Sequence, residues 1–176
     1  VNRVIRKSQD ASSNEAANLL SGIFGAELCL PGRCLWLVSP WISNVELIDN
    51  SAGTYDALTR FGKRRIRLVE ILVALADAGT HVVIGTTSDA HNVRFLQALR
   101  LQTEDLRIAD RVTIDVDSSD RLHTKALTGD DFALAGSMNI TFNGIQVREE
   151  HIDLRTDEAY VAQARMDAFD RFGGLL

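Results

Sequence analysis

The sequence predicts an α/β fold: a mixed, mostly parallel β-sheet flanked by helices on both faces. Strand-like and helix-like segments alternate between residues 33 and 117, and β-α-β units require parallel neighbours. Two short strand-like runs, 121–128 and 131–137, then meet at Gly129-Asp130, a hairpin composition that adds antiparallel pairing. The length, 176 residues, suits one domain spanning 1–176 with a proper core.

Each element follows from its pattern. "SSNEAANLLSGIFGAEL" (12–28) reads as a helix. Ser12 or Ser13 can cap it, Glu15 falls in the first turn, and Ala17, Leu20, Ile23 and Phe24 form one apolar stripe. "RCLWLVSPWI" (33–42) reads as a buried strand that Pro40 ends. Residues 43–64 hold no sustained period and collect Asn, Asp, Ser and Gly. They read as a long loop, a candidate mobile segment. "RIRLVEILVALADAG" (65–79) is the strongest helix, with Leu68, Ile71, Leu72 and Leu75 on one face and Gly79 as its stop. A strand at 80–87, a helix at 89–102 capped by Ser88 or Asp89, and an alternating strand at 111–117 follow. "EEHIDLRT" is a further strand, and 157–172 closes the chain as a helix.

Composition narrows the function classes. The chain is 45% hydrophobic and 24% charged, an ordinary globular balance. No apolar run approaches the roughly 18 residues of a membrane span. The opening "VNRVIRKSQD" lacks the apolar block of a secretory leader, so a cytoplasmic location is the default expectation. Cys29 and Cys34 are too few for a zinc site and read as reduced thiols, with a local disulfide as the alternative. A net charge of −5 disfavours nucleic-acid binding by the whole surface but leaves room for a local basic groove. The one dense cationic run is Arg60, Lys63, Arg64, Arg65 and Arg67. It reads as a solvated loop and helix start, or as an edge that contacts phosphates by releasing their counterions.

The chemistry concentrates in "RLHTKALTGDDFALAGSMNIT", which begins at Arg121. Residues two apart on a strand share a face, so His123 and Lys125 project together while Leu122, Thr124 and Ala126 project the other way. A buried lysine is costly without an anion, and its charge opposes protonation of a neighbouring histidine. A phosphate held beside a neutral, nucleophilic imidazole satisfies both conditions. A lysine snorkelling from a strand end beside a hydrogen-bonded histidine is the competing reading. Ser137 and Asn139 are also two apart and can donate to phosphate oxygens. No second ligand stands at metal-binding spacing beside His123. His81 and His91 read as structural or surface residues, and His151 points opposite to Glu150 on a regular strand.

His123-x-Lys125, Asp130 and Gly136-Ser137-x-Asn139 together resemble the HxKxxxxD…GSxN pattern of the phospholipase D superfamily. The gap from Asp130 to Gly136 is one residue shorter than the common form. "LVSPWI" resembles the strand end that opens the family domain. "REEHIDL" resembles a downstream Asn-x-Glu-Asn strand, with Glu150 at the glutamate position and Arg148 replacing asparagine.

The resemblance implies a phosphodiesterase that needs no metal or other cofactor. One motif in one domain's length implies the small nuclease-type branch, acting on DNA as a homodimer whose two copies share one site. It assigns catalysis to His123, Lys125, Ser137, Asn139 and Glu150, with Glu150 accepting a hydrogen bond from His123. Asp130 falls in the turn and reads as structural. Trp41 reads first as core or dimer interface and second, with Lys63, Arg64 and Arg65, as a substrate contact. Two alternatives remain open. One is a nucleic-acid-binding or assembly subunit of a DNA-processing or defence system, silent until other proteins arrive. The other is a lipid phosphodiesterase, disfavoured because no amphipathic basic segment offers a membrane contact.

Overall fold

The computed structural model describes residues 2–7, 14–119 and 121–176; the expected Ser12 or Ser13 cap lies outside them. In chain order the main elements begin with β1 (Arg3–Lys7), α1 (Glu15–Cys29), β2 (Cys34–Val38), β3 (Glu46–Asp49), β4 (Arg65–Arg67) and α2 (Leu68–Asp77). They continue with β5 (His81–Thr87), α3 (Val93–Asp105), β6 (Val112–Asp117), β7 (Ala126–Thr128), β8 (Ala133–Gly136), β9 (Glu150–Arg155) and α4 (Glu158–Phe172). The main sheet has seven strands in the order β1-β9-β8-β7-β2-β5-β6.

The expected mixed sheet is present, but the expected parallel majority is not. Among the ladders of the described residues, only β2–β5 and β5–β6 are parallel. The pairs β1–β9, β9–β8, β8–β7 and β7–β2 are antiparallel. The crossovers through α2 and α3 make the parallel half. The short connection after β7 and the return of β1 to the far edge make the rest, and β1 has too little apolar pattern to be read from sequence.

Both faces of the sheet are covered. Leu35, Leu37, Val82 and Ile84 point into the large core shared with Leu20 and Phe24 of α1, Ile71 and Leu72 of α2, and Phe95 and Leu99 of α3. Trp36, Val38 and Val83 point the other way, into a smaller cluster closed by Leu122 and Phe172 of α4. The alternation is what a strand with two buried faces requires. In α2 every residue from Leu68 to Ala76 is buried, which is why its sequence is apolar almost all round.

Residues 43–64 are more ordered than the sequence implies. β3 pairs antiparallel with β4, Asp56–Phe61 forms a 3-10 turn, and Leu58 is fully buried beneath it. The helix expected from residue 65 starts at Leu68, because Arg65–Arg67 is spent on this small ladder. Glu70 then caps the helix, accepting the Arg67 N–H at 2.9 Å.

Gly136 ends β8 where two strands meet at close range. A β-carbon there would lie 2.0 Å from the carbonyl oxygen of His151 on β9. Gly136→Ala is therefore expected to force the β8–β9 ladder apart and to cost about 2 kcal/mol or more. Urea unfolding should show a lower midpoint, and an unchanged midpoint would refute the close-approach argument.

Candidate active site

Strand register brings the motif residues to one end of the sheet. Val38, the last residue of β2, is opposite Gly85 on one side and Ala126 on the other. Gly136 N–H donates to the Lys125 carbonyl at 3.2 Å, and Ser137 N–H to the His151 carbonyl at 2.9 Å. The ends of β2 and β8 and the starts of β7 and β9 thus gather together. His123, Lys125, Ser137, Asn139 and Glu150 all lie at these ends.

The strand expected over 121–128 is regular only from Ala126. Asp117 is the physical reason. Its carboxylate accepts the Ser119 N–H at 2.8 Å, the Ser119 hydroxyl at 2.5 Å and the Leu122 N–H at 2.8 Å, so the backbone is held in a turn instead of a ladder. The side chains still alternate. Leu122 is buried against Trp36, Val38, Val83 and Phe172, while His123 is exposed. Thr124 and Ala126 line a cavity of about 320 Å³ under α4. Lys125 is half-buried, and its ammonium folds back to donate to the His123 carbonyl at 2.6 Å.

Ser137 and Asn139 are held by different neighbours. The Ser137 hydroxyl donates to Glu150 Oε2 and accepts the His151 N–H at 3.0 Å. Glu150 therefore meets Ser137, and among the described residues no hydrogen bond joins it to His123. Asn139 is buried, its Oδ1 3.2 Å from the hydroxyl of Ser39. That hydroxyl also donates to the Trp41 carbonyl at 2.8 Å and accepts the Ile140 N–H at 3.3 Å. Ser39 is the site residue that sequence reasoning missed. Its signal is a fully buried hydroxyl at the end of an apolar strand.

Asp130 sits at the opposite end of β7. Its carboxylate accepts the Arg33 N–H at 2.7 Å and lies 3.1 Å from the Arg165 guanidinium, pinning the hairpin turn to β2 and α4. Trp41 is not core within the chain. It is 41% exposed, and its indole donates to Asp89 at 3.1 Å.

The basic run is largely occupied by its own chain. Arg60 pairs with Asp77 at 2.5 Å, Arg64 makes a two-pronged pair with Glu70 at 2.5 and 3.0 Å, and Arg67 lies 3.8 Å from Glu46. Burial raises the Glu70 carboxyl, but these hydrogen bonds and the adjacent guanidinium charges outweigh it and hold the group below its ordinary range. The stem of Lys63 lies against Gly53. Arg65 and Arg67 line a cavity of about 400 Å³ with Phe142 and Gln146, just beyond Asn139 in the chain.

The remaining candidates are placed singly. His81 meets Thr113 at 2.9 Å, and His91 Nε2 meets Ser43 Oγ at 2.8 Å. Both cysteines are free; Cys29 is exposed and Cys34 buried, with burial pushing the Cys34 thiol up. Among the described residues no three His, Cys, Asp or Glu side chains converge as a metal site, and no helix is long and apolar enough to cross a membrane.

This sheet order, with the motif at one sheet end, is the phospholipase D-type fold, the class that the motif resembles. Nuc, a phospholipase D family member from Salmonella typhimurium, matches with a TM-score of 0.61 over 97% of this chain and 92% of its own, at 10% identity. NucT from Helicobacter pylori matches with a TM-score of 0.60 over 99% of both chains, at 12% identity. TrmBL2, an archaeal chromatin protein described as having a novel mode of DNA binding, matches with a TM-score of 0.52 over 99% of this chain and 54% of its own, at 11% identity. Likeness at such identities is likeness of fold. No family model and no curated protein matches the sequence.

The Asp117 turn carries a pH prediction. Hydrogen bonds from the Ser119 hydroxyl and N–H, aided by Leu122, lower its carboxyl to about 2. An unfolded aspartate titrates near about 3.9. The folded value is depressed, so the stabilisation is complete above that ordinary range and is lost as pH falls toward about 2. Carbon-13 titration of the carboxyl should give a midpoint near about 2, with the amides of Ser119 and Leu122 shifting in step. A midpoint near the ordinary value would mean that the turn is not held this way.

Proposed function

We propose that this chain is a metal-independent phosphodiesterase of the phospholipase D type, a nuclease that cleaves DNA at a site shared by two copies. One observation carries the reading: His123, Lys125, Ser137, Asn139 and Glu150, scattered over 28 positions, gather at one end of the sheet in a fold shared with a phospholipase D family member. A DNA substrate is supported further by the fold's likeness to the DNA-binding TrmBL2.

The chemistry divides between two histidines. His123 of one copy attacks phosphorus, and the phosphorus–oxygen bond to the leaving strand breaks as a phosphohistidine forms. His123 of the second copy gives its proton to the leaving oxygen, then takes one from the water that releases the product. Lys125 exchanges the His123 carbonyl for a non-bridging phosphate oxygen, and the Asn139 amide donates beside it. Glu150 holds the Ser137 hydroxyl in place. The contact the side chain makes is with Ser137, through Oε2, so we assign Glu150 first to positioning that hydroxyl. One His-x-Lys pair per chain makes the second copy necessary. Phe142 and Val147, 62% and 58% exposed beside the site, are apolar surface for it to cover. A cytoplasmic location goes with this reading.

A second reading has its own observation. Arg60, Arg64 and Arg67 already face carboxylates of this chain, which leaves few cations of this run for DNA. A subunit that binds or assembles within a DNA-processing or defence system, with cleavage awaiting other proteins, fits that shortage.

Cleavage of DNA and of a small phosphodiester should persist in EDTA. It should fall to background in His123→Ala, and about 10²–10³-fold in kcat in Lys125→Ala. Acid-quenched wild-type protein should retain labelled phosphate that His123→Ala lacks. Gel-shift binding without turnover, unchanged by His123→Ala, would favour the assembly subunit instead.

A further inference from the structure

The loop from Ser39 to Ser43 presents an aromatic ring to solvent on a fixed backbone. Asn92, fully buried, accepts the Ile42 N–H at 2.8 Å and donates to the carbonyls of Pro40 at 2.8 Å and Thr87 at 2.9 Å. Thr86 donates to the Ser39 carbonyl at 2.8 Å, and Thr87 to the Pro40 carbonyl at 2.7 Å. Ser43 N–H donates to the Ile140 carbonyl at 2.8 Å. The Trp41 side chain is fixed as well. Its indole N–H is held by Asp89 Oδ2, while Asp89 Oδ1 accepts the His91 N–H at 2.7 Å. A large ring kept rigid and uncovered has already lost the rotamer freedom that ligand binding would otherwise take from it.

The backbone that carries the ring adjoins the site. The Ser39 hydroxyl that contacts the Trp41 carbonyl also contacts Asn139. Charge decides what the ring accepts. Hydrogen bonds from the His91 N–H and the indole hold Asp89 below the ordinary carboxylate range, so the edge of the ring carries an anion. An anion there repels phosphate, while the indole face remains open to another π surface. Bases inside a duplex have both faces covered by their neighbours. An unpaired base does not.

We infer that Trp41, positioned by Asp89, is a stacking platform for an unpaired nucleobase next to the scissile phosphate, so that single-stranded nucleic acid is the preferred substrate class. The inference rests on the phosphodiesterase reading of the site. His91 and Ser43 complete the rim beside the ring.

Binding tests it in the full chain carrying His123→Ala, with a short oligothymidylate and a blunt duplex as probes. Trp36 is fully buried, so quenching of tryptophan emission reports Trp41. Oligothymidylate should quench that emission, and Trp41→Phe should abolish the quench while leaving the buried Trp36 emission in place. Read by gel shift, which needs no tryptophan, Trp41→Ala should raise the oligothymidylate Kd about tenfold, and Trp41→Phe much less, since a phenyl ring also stacks. Asp89→Asn retains an acceptor for the indole but removes the charge, and should narrow the preference for oligothymidylate over duplex. An unchanged Kd in Trp41→Ala would overturn the platform, as would a quench that survives Trp41→Phe. A shift in sedimentation of Trp41→Ala would also overturn it, by making Trp41 a contact between copies. The titration reads binding alone. A wild-type chain without turnover would thus overturn the phosphodiesterase reading while the quench still decides the platform.

Discussion

Strand β2 is the constraint on which the rest of the structure depends. It pairs in parallel with β5 and antiparallel with β7, so it is the seam between the two halves of the sheet. All five of its residues are buried, with Leu35 and Leu37 in one cluster and Trp36 and Val38 in the other. A one-residue slip would exchange those two sets across the sheet, and neither face is polar enough to absorb the error. The register of β2 fixes where Ser39 emerges. Ser39 then ties the parallel half, through Trp41, to the antiparallel half, through Asn139 and Ile140.

Electrostatics work differently at the two ends of the sheet. At the hairpin end, Asp130 meets Arg33 and Arg165, and the charges cancel locally. Burial there raises the neighbouring Glu27 carboxyl, and the Asp130 and Asp131 charges raise it further. At the motif end, Lys125 turns its ammonium onto a neutral carbonyl, and no carboxylate among the described residues neutralises it. A cation satisfied by a weak partner exchanges readily for an anion. The contrast separates the motif aspartate, which anchors structure, from the motif lysine, whose ammonium has a neutral partner.

Rigid and irregular backbone are both needed here. A ladder running through His123 would have held it as an ordinary strand residue. The Asp117 turn takes that backbone out of the sheet, and the imidazole reaches solvent while Leu122 remains anchored. The loop after β2 is irregular too, but its polar backbone groups find side-chain partners in Thr86, Thr87 and Asn92. Satisfied loops of this kind can carry functional side chains without the mobility usual for loops.

The helices and the alternation around His123 were legible because local periodicity carries them. α4 begins one residue after its Asp157 cap, where the pattern placed it. β1, β3 and β4 were not legible, since short strands with few buried residues leave little period to read. The sequence by itself determined the helices, the central strands, the His-x-Lys spacing and the Ser137 and Asn139 pair, because these depend only on neighbours along the chain. Tertiary structure alone decided that four of the six ladders of the main sheet are antiparallel, that Glu150 meets Ser137, that Glu70 occupies Arg64, and that Trp41 faces solvent. Each of these is a contact between residues distant in sequence or in different elements. Which partner a charge, hydroxyl or ring finds is set by the register of the sheet, and that register is a property of the whole core.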